Sequence, residues 1–242
     1  MVRLPLPARL TVTPVRWPHG CRLIPARFRA LECFERLLDP GAAAMGDLLA
    51  RLADLTTCSG AGDLRLMDPG QILFGPGAGW INASFTAPRP GRFSDASHGA
   101  FYLAGEIETG IAEVSHHLHR DYRREGVIET MDLDYRALVV HLEGPLHDLR
   151  GKPRTRPPWS ALYDPKDFRD SQTFGRSLRE TGSRGLAYDS VRRSGGVCAA
   201  IFDPNLLRAC RHDTYLAFRW EGGAVTRVME KRILALPPGT PG

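Results

Sequence analysis

The 242-residue chain is predicted to fold as an α+β protein. Short β-like segments follow one another in the first half, an amphipathic helix begins at residue 107, and the last third is again β-like. The loops between the early β-like segments are too short for the crossover helices that parallel strands need. Mixed, mainly antiparallel strands with a few helices are therefore favoured over a regular alternation of strands and helices.

The first half contains one helix pattern and three strand patterns before residue 107. Leucines recur at helical spacing in GDLLARLADLT, residues 46–56, which predicts a helix that faces the core. The segments QILF, WINASF and FYL, at 71–74, 80–85 and 101–103, are β-like and are separated by glycine- and proline-containing turns. We expect all three to be strands.

From residue 107 the apolar residues recur with the period of an α-helix. Ile107, Ile111, Val114, Leu118 and Tyr122 share one stripe, and the pattern ends near the EGV at 125–127. This spacing predicts a helix of about four turns.

The remaining elements are mostly strands. ALVVHL at 137–142 predicts a strand, and residues 165–181 have the looser periodicity of a helix. LAYDSV, VCAAIF and TYLAFRW are again β-like, and the last of them is followed by a hairpin whose turn is the EGG at 221–223.

The composition is that of a globular chain with a modest basic excess. Hydrophobic residues make up 43% and charged residues 24%, which excludes a disordered protein. The formal net charge is +5, and nearly all of the positive charge is arginine, since lysine occurs only at 152, 166 and 231. Guanidinium groups suit bidentate contacts with phosphates and carboxylates, so the balance is compatible with a phosphate-bearing ligand.

We expect one large domain over residues 21–236, with a Pro-rich, weakly ordered arm at 1–20 and a flexible tail at 237–242. The five cysteines form no C-x-x-C pair, which argues against a disulfide framework or a zinc ribbon. Prolines interrupt the N-terminal segment, unlike a secretory signal, and the longest apolar run, VCAAIF, is too short to span a membrane. These features predict a soluble, cytoplasmic protein without membrane contact.

Two local patterns are rejected as functional motifs. FGPGAG, residues 74–79, resembles a nucleotide loop, but the following WINASF is predicted to be a strand rather than the helix that such a loop needs. His116, His117 and His119 lie within one turn of the predicted helix, but histidines on the polar face of a helix are common without a metal. No metal site is predicted.

The stretch PGRFSDASHGAFYLAGEIETGIAEV, residues 90–114, delivers a guanidinium, a phenol and a carboxylate in succession. Arg92 lies in a loop, Tyr102 in the predicted FYL strand, and Glu113 in the predicted helix. Periodicity alone places Glu113 on the polar face, where a solvated surface glutamate is the simplest interpretation.

The whole arrangement resembles the RES domain family, the toxins paired with Xre-type antitoxins. The first block of that family is similar to G-R-[FW]-[NS], a tyrosine that ends a short strand, and a helix with a glutamate; GRFS at 91–94, Tyr102 and Glu113 match it in order. A Y-x-S-x-R-x-x-G-G pattern is matched by residues 188–196, with Ser190 as its serine, and CRLIPARF at 21–28 and CFERL at 33–37 resemble the family's opening. Ser94 and Val197 or Cys198 stand where the family often has asparagine.

The resemblance implies a core similar to ADP-ribosyltransferase toxins, with two packed antiparallel β-sheets and flanking helices, and an enzyme that acts on NAD+. Cleavage of the nicotinamide–ribose bond passes through an oxocarbenium-like state, which a carboxylate near the ribose stabilises. Glu113 is assigned that role, Tyr102 that of stacking on the nicotinamide, and Arg92 that of binding the pyrophosphate, so these three are the expected catalytic residues. Arg22 is expected to make a second anion contact. Ser190 is expected to bind ribose or carboxamide, or to orient Glu113.

The resemblance further implies that NAD+ is consumed as a substrate, with no bound cofactor, and that an Xre-type antitoxin protein neutralises the toxin. Water, phosphate or a protein target of ADP-ribosylation can each accept the ADP-ribose, and the sequence does not choose among them. Two other classes remain open. One is a basic nucleic-acid-binding or ribonuclease-like toxin, against which no recognition motif is found, so no direct nucleic-acid contact is expected. The other is a non-catalytic partner-binding protein.

Overall fold

The computed structural model describes residues 10–28, 62–232 and 234. Within these ranges the strands are β1 Val12–Pro25, β2 Phe101–Ala104, β3 Met131–Asp148, β4 Gly185–Asp189, β5 Val197–Ile201, β6 Leu207–Glu221 and β7 Ala224–Lys231. The α-helices are α1 Ala78–Thr86, α2 Ile107–Glu125, α3 Trp159–Leu162 and α4 Arg169–Glu180, and short 3-10 helices occur at Leu64–Leu66, Pro69–Gln71 and Pro204–Leu206. The predicted helix at 46–56, the CFERL match and the tail at 237–242 lie outside the described residues. The α+β class is confirmed.

The strands form two antiparallel groups within one hydrogen-bonded sheet. The first group is β1, β3, β6 and β7, with the long β3 between β1 and β6. The second group is β2, β5 and β4, in which β5 is central. They are joined at two short junctions, a single antiparallel pair between β1 and β2 and a two-residue parallel pairing between β3 and β4.

The main core lies between these two groups. Leu138, Val140 and Leu142 of β3 belong to the same cluster of buried side chains as Phe101 of β2 and Ile201 of β5. Burial of such apolar side chains is the main driving force for the fold. The family resemblance implies two packed antiparallel sheets; the structure has two antiparallel strand groups with a shared core, joined into one seven-stranded sheet.

Helix α2 begins and ends where its periodicity predicts, at Ile107 and Glu125. Its predicted stripe packs with Leu216 and Phe218 of β6, so the helix covers the first strand group. The helix ends at Gly126, which adopts the left-handed conformation common after a helix C-terminus. The loop before α2 and the polar face of α2 remain available to build a site.

Several other predicted elements are confirmed with adjusted bounds. FYL lies in β2 and ALVVHL lies inside the much longer β3. The helix expected over 165–181 is α4, and the predicted C-terminal hairpin is formed by β6 and β7 around Gly222 and Gly223.

The predictions for residues 71–85 were wrong. QILF contains the end of a 3-10 helix followed by irregular chain, and WINASF lies in α1. Asn82 explains part of this, because its side chain accepts a hydrogen bond from the Leu73 amide at 3.2 Å and donates to the Leu73 carbonyl at 2.8 Å. FGPGAG therefore does precede a helix, contrary to the prediction, but no strand leads into it. Gly77, with φ 82°, instead allows the turn to pack against the Cys210 backbone.

The prediction of a weakly ordered arm over residues 1–20 was wrong from residue 12 onwards, because Val12–Pro25 form β1. Proline cannot donate to a strand ladder and is confined to edges and irregular positions. Pro18 lies at a register shift between Trp17 and Gly20, and among the described residues the edge of β1 that faces away from β3 is paired only at Cys21. The prolines are therefore tolerated, and residues 1–9 lie outside the described part. No helix among the described residues is both long and apolar enough to cross a membrane.

Candidate active site

The GRFS loop at 91–94 precedes β2 in sequence and packs in space between β2 and α4. Phe93 and Ser94 are fully buried, and Gln172 of α4 donates to the Gly91 carbonyl at 3.0 Å. A side chain at residue 91 would collide with the ring of Tyr102, since a Cβ there would lie 2.6 Å from it. Glycine at this position therefore lets the loop lie directly against the tyrosine.

Arg92 is 7% exposed and points into the protein rather than into solvent. Its Nη1 donates to the carbonyl oxygens of Leu162 at 3.1 Å and Asp164 at 2.8 Å, and its guanidinium lies 4.6 Å from the centre of the Phe168 ring. The guanidinium thus holds the segment that links α3 to α4. Among the described residues, no partner is seen for Nε and Nη2.

Tyr102 fixes the same loop from the other side. Its hydroxyl accepts a hydrogen bond from the Phe93 amide at 2.9 Å and shares a second bond with Ser94 Oγ at 2.9 Å. Burial raises the pKa of Tyr102 to about 12, although these hydrogen bonds and the charge of Arg92 oppose the shift. The hydroxyl is neutral and engaged, so the ring is the part of Tyr102 that can contact a ligand.

Glu113 is half-buried and is held by Ser190, 77 residues further along the chain. Ser190 Oγ donates to Glu113 Oε1 at 2.7 Å, and Ser190 is only 1% exposed. Periodicity alone predicts a solvated surface glutamate, and the structure shows an oriented carboxylate instead. No partner for Oε2 is seen among the described residues, so this oxygen is the one that can act on a ligand.

Ser190 has no remaining capacity to bind a ligand through its hydroxyl. Besides donating to Glu113, Oγ accepts hydrogen bonds from the backbone amides of Arg192 at 3.0 Å and Arg193 at 3.1 Å. One donor and two acceptor positions are all that a hydroxyl offers. Of the alternatives left open by the sequence, the geometry fits only the orientation of Glu113.

The loop after Ser190 is fastened to α2. Arg193 Nη1 donates to Glu106 Oε2 at 2.8 Å and Thr109 Oγ1 at 3.1 Å. A Cβ at Gly196 would lie 2.6 Å from Thr109 Oγ1, so the second glycine of the GG pair permits the close approach of loop and helix. This packing explains the sequence pattern physically and sets the distance between Ser190 and Glu113.

Cys198 lies on the same side of Glu113 as Ser190. Its Sγ is 4.0 Å from Glu113 Oε1, a long contact for a weak S–H donor. Burial raises the pKa of the Cys198 thiol, the charge of Glu113 raises it further, and Arg92 lowers it. Cys198 therefore stays protonated and can contact the carboxylate only as a donor.

Arg22 is placed differently from the other predicted residues. Its Nη1 donates to the Tyr102 carbonyl at 3.0 Å, and its guanidinium lies 4.3 Å from the centre of the Phe101 ring. Burial lowers the pKa of Arg22 to about 10, so it remains charged at neutral pH. It bridges β1 and β2 next to their single paired position, and its expected anion contact stays a prediction.

The sequence predicts no role for Arg192, although this residue is the arginine of the matched Y-x-S-x-R-x-x-G-G pattern. It is half-buried, and its Nη2 donates to the Pro165 carbonyl at 2.6 Å. Burial lowers the pKa of Arg192, Glu113 opposes this, and Arg92 and Arg120 add to the lowering. Arg192 therefore belongs to the same electrostatic neighbourhood as Arg92 and Glu113.

The three histidines of α2 do not share one site: the rings of His116 and His117 lie 5.9 Å apart, and His119 contacts β7. His119 Nε2 accepts a hydrogen bond from the Val225 amide at 2.8 Å and thereby joins α2 to β7. His116 lies near several cations, and its pKa is lowered by burial and by Arg192 and Arg120. Among the described residues, no three His, Cys, Asp or Glu side chains are grouped in a way that could hold a metal ion.

The fold and the site together define a class of protein. It is an α+β protein in which one carboxylate, oriented by a buried serine, lies in a neighbourhood of arginine side chains. A family model described as "RES domain" matches residues 71–221. The chain therefore belongs to the RES domain family, as the sequence resemblance indicated.

The chain is also similar to a protein of known structure. A chain of the crystal structure of the M. tuberculosis MbcT–MbcA toxin–antitoxin complex is 14% identical to this chain, with a TM-score of 0.43. The match covers 83% of this chain and 86% of that chain. No curated protein sequence matches the chain significantly.

Proposed function

We propose that the protein is a RES-type toxin that cleaves the nicotinamide–ribose bond of NAD+. The observation that carries the proposal is the 2.7 Å hydrogen bond from Ser190 Oγ to Glu113 Oε1. It directs one carboxylate of α2 and leaves its second oxygen without a protein partner among the described residues. Membership of the RES domain family and the neighbouring arginine side chains support an anionic nucleotide as the substrate.

Glu113 would act on the ribose. As the glycosidic bond breaks, nicotinamide leaves with the bonding electron pair, and positive charge develops at the ribose C1′ and ring oxygen. The carboxylate stabilises this charge in a partly dry site, where such an interaction is stronger than in water. An oxygen of water, phosphate or a protein side chain then forms the new bond to C1′ and gives up its proton.

Tyr102 and Arg92 would position the two ends of the substrate. The phenol is bonded to the GRFS loop, so its ring presents a fixed surface on which nicotinamide can stack. The Arg92 nitrogens that have no partner among the described residues are suited to bind phosphate oxygens. NAD+ is consumed as a substrate in this scheme, and the residues proposed need no bound cofactor.

The direct test is release of nicotinamide from NAD+ by the purified protein. We expect turnover by the parent and at least a tenfold loss in Glu113→Ala, because the developing charge then lacks its stabilising group. Glu108→Ala is a matched control, since Glu108 is an exposed glutamate in the first turn of the same helix. The assignment is wrong if Glu113→Ala turns over NAD+ as fast as the parent.

We further propose that an Xre-type antitoxin neutralises the protein by occupying the NAD+ cleft. Competition follows from this placement, since two ligands of one site exclude each other. Titration of the toxin–antitoxin complex with an unreactive NAD+ analogue should weaken antitoxin binding in proportion to the analogue's own affinity. Unchanged antitoxin affinity at saturating analogue would contradict a shared site.

A further inference from the structure

The segment at 162–165 joins two guanidinium groups that come from different loops. Arg92 donates to the carbonyls of Leu162 and Asp164, and Arg192 donates to the carbonyl of Pro165. Arg92 lies before β2 and Arg192 lies after β4, 100 residues apart in sequence. The carbonyls of one short segment therefore bring the two cations to neighbouring positions.

Neither cation is neutralised within the described part of the chain. Arg92 and Arg192 form no ion pair among the described residues, and Arg192 Nε is buried without a hydrogen-bond partner. Buried donors in native proteins are almost always satisfied, so an unpartnered one calls for an explanation such as a ligand. Glu113 is the nearby carboxylate, and Ser190 already engages its Oε1.

Arg120 of α2 adds positive charge near Arg192. Arg120 is exposed on the same helix as His116, and the pKa of His116 is lowered first by burial and then by Arg192 and Arg120. Two like charges held close together cost free energy unless an anion lies between them. The surroundings of Arg192 are thus suited to a ligand with more than one negative charge.

We propose that Arg192 and Arg92 together bind the diphosphate of the nucleotide substrate, with Arg192 as a substrate-binding residue. The inference rests on the proposed function and deepens it, because it assigns the second anion contact to Arg192 rather than to Arg22. Each guanidinium spends one nitrogen on the 162–165 segment and keeps others for phosphate oxygens. A diphosphate carries two adjacent anionic groups and so matches a pair of guanidinium groups.

A substrate that lacks phosphate distinguishes two roles of Arg192, the binding of phosphate and the support of the 162–165 segment. Steady-state kinetics would compare NAD+ with nicotinamide riboside, which has the same scissile bond and no phosphate. For Arg192→Gln we expect kcat/KM on NAD+ to fall about tenfold or more, mainly through KM, since a charge-assisted contact is lost. Turnover of nicotinamide riboside should change less than about twofold. Arg211→Gln is the control, since Arg211 is an exposed arginine of β6 paired with Asp213, and it should change kcat/KM on neither substrate.

A second measurement does not depend on turnover. Calorimetric titration with inorganic pyrophosphate should show binding to the parent and to Arg211→Gln, and at least tenfold weaker binding to Arg192→Gln. An equal fall in kcat/KM on both substrates, or unchanged pyrophosphate affinity in Arg192→Gln, would overturn the role of Arg192. If the parent binds pyrophosphate through Arg192 but releases no nicotinamide, the proposed reaction fails and the diphosphate site stands.

Discussion

The two halves of the candidate site are held in opposite ways. On the acidic side, one side chain orients another, because the Ser190 hydroxyl donates to Glu113. On the cationic side, Arg92 and Arg192 donate to backbone carbonyls. The orientation of the Glu113 carboxylate therefore depends on one hydroxyl, whereas the positions of the two guanidinium groups depend on the backbone of the 162–165 segment.

This difference predicts different kinds of failure. A substitution on the acidic side leaves the substrate contacts in place and disorients the group that acts in the transition state, so it should lower kcat. A substitution on the cationic side removes ground-state contacts with the anion or loosens the loops that carry them, so it should raise KM. The comparison would be wrong if substitutions on the acidic side mainly raised KM, or if substitutions on the cationic side mainly lowered kcat.

The largest effect is expected for Ser190→Ala. The variant removes the donor to Glu113 Oε1 and the acceptor of two backbone amides, so kcat should fall by about 10- to 100-fold. Stability should fall by about 1–3 kcal/mol because the amides of the 190–196 loop lose their partner. Steady-state kinetics on NAD+ and thermal unfolding measure the two effects separately.

Ser177→Ala is the matched control for this variant. The Ser177 hydroxyl donates to the Phe174 carbonyl within α4, and no bond from it to a site residue is seen in the described part of the chain. A fall in stability without a fall in kcat for Ser190→Ala would show that the serine serves only the loop, and the acidic side would then have no orienting residue.

The same contrast between local and distant contacts separates what the sequence predicts from what it does not. The apolar stripe of α2 is a local pattern. It predicts both ends of the helix because the residues of the stripe are the ones that pack on the first strand group. The strand prediction for WINASF was wrong because the side chain of Asn82 is fixed by the backbone of Leu73, nine residues earlier. The apolar periodicity of the segment does not indicate this contact. β1 was missed because its prolines suggest an irregular segment, and the sequence does not show that one edge of this strand is paired at a single position among the described residues.

The site shows the same limit. Arg92, Tyr102 and Glu113 were found by their resemblance to a family, while periodicity alone would have left Glu113 in solvent. The Ser190–Glu113 bond and the shared 162–165 segment join residues about 30 to 80 positions apart. Such contacts depend on how β2, β4 and β5 are ordered in the sheet, which the sequence pattern does not specify.

A smaller effect on activity is expected for Tyr102→Phe, which tests the cationic side because the Tyr102 hydroxyl holds the loop that carries Arg92. The hydroxyl bonds Phe93 and Ser94, the residues that follow Arg92. Its loss leaves the buried Phe93 amide without its acceptor, which should lower stability by about 1–3 kcal/mol. Since the ring remains, kcat should stay within about twofold and KM for NAD+ should rise a few-fold as the Arg92 loop loosens.

Tyr122→Phe serves as its control, because the Tyr122 ring packs against Trp220 and its hydroxyl has no partner among the described residues. Thermal unfolding and the kcat and KM of both variants complete the test. If Tyr102→Phe lowers kcat as much as Ser190→Ala does, the phenol takes part in the reaction itself. The division into an acidic side that governs kcat and a cationic side that governs KM would then be wrong.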